Sequence, residues 1–151
     1  MKANTSMVSL LSETSTTRSL DPSLREIAEN GFVHDDECYI LRKLSRTTNA
    51  KRTNFDDCTG YECFINSLHI EDYDSESPFA QARLFVAQVF RTWITANPAI
   101  PLRAIVSADE FSVVVKFHVR RPGEQWLSDD IDGYEDPVLS IDSDEDVTPL
   151  C

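Results

Sequence analysis

Hydrophobic and polar positions alternate most clearly in Phe111–Arg121, where Phe111, Val113, Val115, Phe117 and Val119 interleave with Ser112, Val114, Lys116, His118 and Arg120. A period of two marks a strand with one buried face, and the apolar run Leu102–Ser107 precedes it across the short connection Ala108-Asp109-Glu110, so the two are expected to form a β-hairpin with one wet face. The strongest helical period lies just upstream. Phe79, Ala82, Val86, Val89, Phe90, Trp93 and Ile94 recur at helical spacing, with Ser77 placed as N-cap, Pro78 at the first helical position and Asn97-Pro98 as the stop. A shorter helix is expected after Asp21-Pro22, with Leu24, Ile27 and Ala28 on one face and Asn30-Gly31 ending it.

The remaining apolar runs read as strands: Glu37–Leu44, Tyr61–Ile70 and Pro137–Asp142. Residues 1–19 are rich in Ser and Thr and poor in periodic apolar positions, which reads as a mobile arm; residues 143–151 read as an acidic, frayed tail. The expectation is one α+β domain over residues 20–142, an antiparallel β-sheet packed against one long helix with a short N-terminal helix. At 151 residues, 41% of them apolar, the chain can bury a continuous core. No run of eighteen apolar residues and no secretory pattern occurs, which points to a cytoplasmic protein with no membrane role.

Charge changes this picture more than composition does. The net charge of -12 is carried almost wholly by residues 122–151, which hold ten acids (Glu124, Asp129, Asp130, Asp132, Glu135, Asp136, Asp142, Asp144, Glu145 and Asp146) and no Lys or Arg. Upstream, eight basic residues face nine acids over 1–57 and six face seven over 58–121. Trp126 and Tyr134 sit among these acids, so Glu124, Trp126, Asp129, Asp130, Asp132, Tyr134, Glu135 and Asp136 form the candidate partner-binding set. Aromatics supply rigid contact area and carboxylates steer a basic partner. The competing structural reading is that Trp126, Leu127 and Ile131, at helical spacing, anchor a short turn to the core.

Catalytic and metal chemistry find little support. Cys58, Cys63 and His69 are spaced as C-x4-C-x5-H, which matches no common zinc module, and buried thiols are the expected state of the four cysteines in a reducing cytosol. Asp142-Ser143-Asp144-Glu145-Asp146 begins like a calcium loop, but Val147 stands where the loop needs Gly. His34, His69 and His118 lie in no diagnostic motif, and His118 is expected to be solvated on the wet face of its strand. No catalytic residue, metal site or cofactor is therefore assigned, although a dispersed active site using Cys63, His69 or His118 is an alternative. Nucleic-acid binding is disfavoured because the basic cluster Arg42, Lys43, Arg46, Lys51 and Arg52 sits in a chain of pI near 4.5.

In size, acidity, one-helix-on-sheet organisation and the acidic Trp-Leu and Gly-Tyr-Glu region, the chain resembles the small immunity proteins of bacterial polymorphic and contact-dependent toxin systems. That resemblance implies a non-enzymatic α+β inhibitor that binds one cognate toxin, a basic protein such as a nuclease, in the cytoplasm. A nucleic-acid-mimicking anti-defence inhibitor and a subunit of a homo-oligomer are the other binding readings.

Overall fold

The computed structural model describes residues 1–16 and 18–151. Among the described residues, seven strands and four α-helices follow one another as β1 (Lys2–Ala3), α1 (Thr5–Glu13), α2 (Pro22–Asn30), β2 (Phe32–Asp35), β3 (Cys38–Leu41), α3 (Cys58–Ile65), β4 (Ser67–His69), α4 (Pro78–Ala96), β5 (Leu102–Ala108), β6 (Val113–Val119) and β7 (Val138–Asp142). The main sheet is antiparallel throughout, in the order β1-β7-β5-β6-β4, and β2 and β3 form a separate hairpin. This is the expected α+β fold, with one long helix and a short N-terminal one.

Helix α4 forms where its apolar period placed it. Phe79, Ala82, Phe85, Val86, Val89, Phe90 and Trp93 are buried against the sheet residues Leu102, Ala104, Val106, Val115, Phe117, Leu139 and Ile141. Phe117 sits at the centre, with the rings of Phe85, Phe90 and Phe32 at centroid distances of 5.7, 6.5 and 6.4 Å. Ile94 falls at the margin of the helical face and stays exposed. In α2, the Asp21 carboxylate accepts from the amides of Ser23 and Leu24, and Gly31 closes the helix at φ 67°, a conformation that favours glycine.

Several expectations are corrected. Within the stretch expected to be a mobile arm, residues 2–13 are packed: β1 adds an edge strand to β7, Asn4 caps α1 by accepting from the Met7 amide, and Met7 is fully buried in the main core. Met7, Leu10 and Leu11 stand at helical spacing, a short apolar stripe within a polar stretch. The acidic tail is anchored too, since Leu150 is fully buried and Arg83 donates to the carbonyls of Thr14 and Pro149, tying both ends of the chain to α4.

The first half of Tyr61–Ile70, through Ile65, is helix rather than strand. Asp57 caps α3 by accepting from the Gly60 amide, and only Ser67–His69 is extended. Cys58, Tyr61 and Ile65 face the hairpin residues Cys38 and Ile40, while Glu62 and Asn66 are buried beside them. Polar residues on the inner side of the helix conceal its period. Two further readings change: Cys38 and Cys58 form a disulfide, so only Cys63 and Cys151 are free, and Phe111 lies in the β5–β6 turn, 84% exposed, where Asp109 accepts from the amides of Phe111 and Ser112.

Candidate functional site

The outer face of the β5–β6 hairpin is partly covered: Ile105 and His118 are buried on it, Arg103, Ser107, Val114 and Lys116 are half-buried, and Arg120 is exposed. Helix α3 packs over β6, and Leu127 and Ile131 of the acidic segment close on Cys63, Ile105 and Val138. Two charge clusters centred on buried carboxylates lie beside this layer, one joining α3 to β6 and one within the sheet. Glu62 is fully buried and accepts from the Tyr39 amide (2.8 Å), the Val119 amide (2.9 Å) and both terminal nitrogens of Arg121 (2.7 and 2.9 Å). Every lone pair needed to stabilise the buried carboxylate thus meets a donor. Asn66 links the two sheets, donating to the Tyr39 and Phe117 carbonyls and accepting from the Leu41 amide.

On β7, Asp142 accepts two hydrogen bonds from Arg103 (2.6 and 2.9 Å) and one from Arg120 (2.7 Å). Burial alone would raise its carboxyl, but the bonds from Arg103 and Arg120 hold it below the usual carboxylate range. Asp144 pairs with Arg120, and Glu145 pairs with the Met1 ammonium.

His118 lies within this covered layer and is almost fully buried, contrary to the solvated histidine expected from strand alternation. Burial, reinforced by the nearby Arg103 and Arg121 guanidiniums, pushes it below the usual histidine range against the opposing pull of the Val119 carbonyl and Glu62. Its Nε2 has no hydrogen-bond partner among the described residues. The folded state therefore binds a proton less readily than the unfolded state. Stability contributed by neutral His118 is present above an unfolded-state pKa of about 6.5 and falls as pH drops below it, by up to about 1.4 kcal/mol per pH unit. Urea denaturation between about pH 6.5 and 5 should show this slope, and His118→Leu should flatten it; an unchanged slope would assign the acid sensitivity to other groups.

The charge pattern divides the candidate residues. Glu124 is half-buried and accepts from the Thr59 amide and hydroxyl at 3.3 and 3.0 Å, so its carboxylate is engaged by α3. Asp129, Asp130, Asp132, Glu135 and Asp136 are exposed, and among the described residues none of them forms an ion pair with Lys or Arg. Asp132 accepts from the Thr5 amide, and the Asp136 carbonyl accepts from Asn4, which holds this segment on α1.

Trp126 is 46% exposed and Tyr134 39%, while Leu127 and Ile131 anchor the segment beneath them. The anchoring and surface readings thus fall on different residues of one segment. Trp126 also shares a hollow with Phe55 and Gly60, and Phe55 packs on Phe64, itself 59% exposed, at 5.3 Å. The exposed aromatic surface therefore extends onto α3, an extension hidden in the sequence because α3 read as a strand.

Behind Trp126 and Tyr134 lies a second hollow of about 290 Å³ lined by Ile105, Ser107, Lys116, Leu127 and Val138. Sequence reading missed Lys116, which looked like one more wet-face residue of β6. Cys58, Cys63 and His69 do not assemble a ligand set. Cys58 is bonded to Cys38, Cys63 is buried with its thiol pushed up to about 12 by burial, and His69 faces Glu71.

Comparison with known proteins gives kinship without an activity. The Uncharacterized protein PM0498 of Pasteurella multocida (strain Pm70) is 31% identical over 104 residues, covering 62% of this chain and 66% of that protein, just under two thirds of its length. No solved structure matches the chain. The model of the Uncharacterized protein PM0498 family matches residues 2–150, and the chain belongs to that family.

Proposed function

We propose that this protein is a non-enzymatic inhibitor of the immunity-protein type, which binds a basic partner, a cognate toxin domain, through the surface of residues 126–136. The observation that carries this reading is the partition of the acids. Asp142, Asp144 and Glu145 are engaged by Arg103, Arg120 and the Met1 ammonium, whereas among the described residues Asp129, Asp130, Asp132, Glu135 and Asp136 have no paired cation and lie around two exposed aromatics. Unpaired like charges on one segment repel one another, and a cationic surface would relieve that repulsion while Trp126 and Tyr134 bury area at the centre.

Action in the cytoplasm, where an incoming toxin would meet its target, belongs to the same proposal. In a reducing cytosol Cys38 and Cys58 would stand as thiols, and α3 would keep its Asp57 cap and the hydrogen bonds of Glu62 and Asn66.

The test is affinity capture from the source cells at low and high salt, followed by kinetics with whatever basic protein is retained. Asp129→Asn, Asp130→Asn and Asp132→Asn combined should slow association by about tenfold and flatten its salt dependence. Trp126→Ala should act on dissociation and cost about 2 kcal/mol. Unchanged rate constants in both variants would discard this surface.

A further inference from the structure

The hollow behind Trp126 has features of a small-ligand site that a protein-docking surface does not require. Lys116 projects from β6 with its Nζ 5.6 Å from the centre of the Trp126 ring. It donates to the Ser67 hydroxyl at 3.0 Å and the Cys63 carbonyl at 3.4 Å, two neutral acceptors for three ammonium hydrogens. Among the described residues no carboxylate lies within ion-pair distance of it, although the surrounding segment is rich in them. Burial also pushes this ammonium below the usual lysine range. A half-buried cation without an anion, held over an aromatic ring beside apolar walls, is arranged to receive an anionic group from outside the chain.

The other lining residues restrict that group's identity. Ile105, Leu127 and Val138 supply apolar lining, and Glu135 and Asp136, both exposed, also line the hollow. Those two carboxylates would repel a simple anion, so the ligand must carry positive charge close to its anionic end. The volume, about 290 Å³, is near the lower end of small-ligand pockets, roughly 300 Å³, and suits a single amino-acid-sized group.

We infer that the hollow binds a terminal α-carboxylate bearing an apolar side chain, with the carboxylate on Lys116, the side chain against Trp126 and the apolar lining, and an adjacent positive charge at Glu135 and Asp136. Two sources share this chemistry: a free apolar α-amino acid, whose own ammonium supplies the positive charge, and the C-terminal residue of a polypeptide that ends in basic residues before it.

Tryptophan fluorescence titrations of the full chain distinguish them. The probes are L-phenylalanine, phenethylamine, the tripeptide Arg-Lys-Phe and its C-terminal amide. At least one carboxylate form should saturate below about 10 mM and bind about tenfold tighter than its carboxylate-free counterpart. Whichever of the two binds tighter identifies the source. Lys116→Met keeps the buried stem and should lose that preference while its circular dichroism and thermal midpoint show it folded. Equal binding of acid and amide forms, unchanged binding by Lys116→Met, or no saturation with either acid form would overturn the inference. Trp126, Tyr134, Glu135 and Asp136 belong to both surfaces, but Lys116→Met and the combined Asp129, Asp130 and Asp132 variant separate the two readings, because those three aspartates do not line this hollow and Lys116 has no part in the proposed capture of a basic protein.

Discussion

Replacing Arg121 with methionine should lower the free energy of unfolding by about 3–5 kcal/mol, among the largest losses of any single substitution in this chain. The substitution leaves Glu62 fully buried with only the Tyr39 and Val119 amides to face its charge. Removing one member of a buried pair costs more than the pair contributes, because the remaining ion has neither water nor counter-ion. Urea denaturation of the single variant and of the double variant Glu62→Met/Arg121→Met separates the two quantities. The double variant should recover part of the loss, since an apolar pair carries no stranded charge. A single variant with wild-type stability would mean that solvent reaches Glu62.

Phe117→Ala should cost a comparable amount, about 3–5 kcal/mol, by a different route. Phe117 is fully buried where α4, the β2–β3 hairpin and the main sheet converge, and its ring meets Phe85, Phe90 and Phe32 edge-on. Truncation would leave a cavity bounded by three elements that cannot all move inward, so little of it would be refilled. Phe117→Leu should lose roughly half as much because most of the volume is kept. Equal losses for Ala and Leu would show that the site collapses, contrary to this packing.

The elements that were legible in the sequence show one regular apolar pattern: helix α4 at helical spacing and strand β6 at a period of two, with β5 as an apolar run beside it. Helix α3 does not. It is clamped between β3 and β6, so Glu62 and Asn66 point inward to serve backbone groups, and inward polar residues erase the apolar stripe from which a helix is recognised.

The same double-sided burial explains His118. Its position opposite Phe117 and Val119 along β6 was correct, yet alternation distinguishes two faces of a strand without saying whether the second is covered. The acidic segment was legible as a block of charge. What sequence could not show was its division, because Glu124 and Asp142 find partners far along the chain, in Thr59 and Arg103.

The Cys38–Cys58 bridge encloses residues 39–57 in a covalent ring, and that ring carries the basic residues Arg42, Lys43, Arg46, Lys51 and Arg52, most of them exposed. Trypsin-like enzymes favour such exposed basic loops. A cut there would open the ring without dividing the molecule. The nicked protein would gain the mass of one water and keep its full complement of residues, and the two fragments would part only after unfolding and reduction.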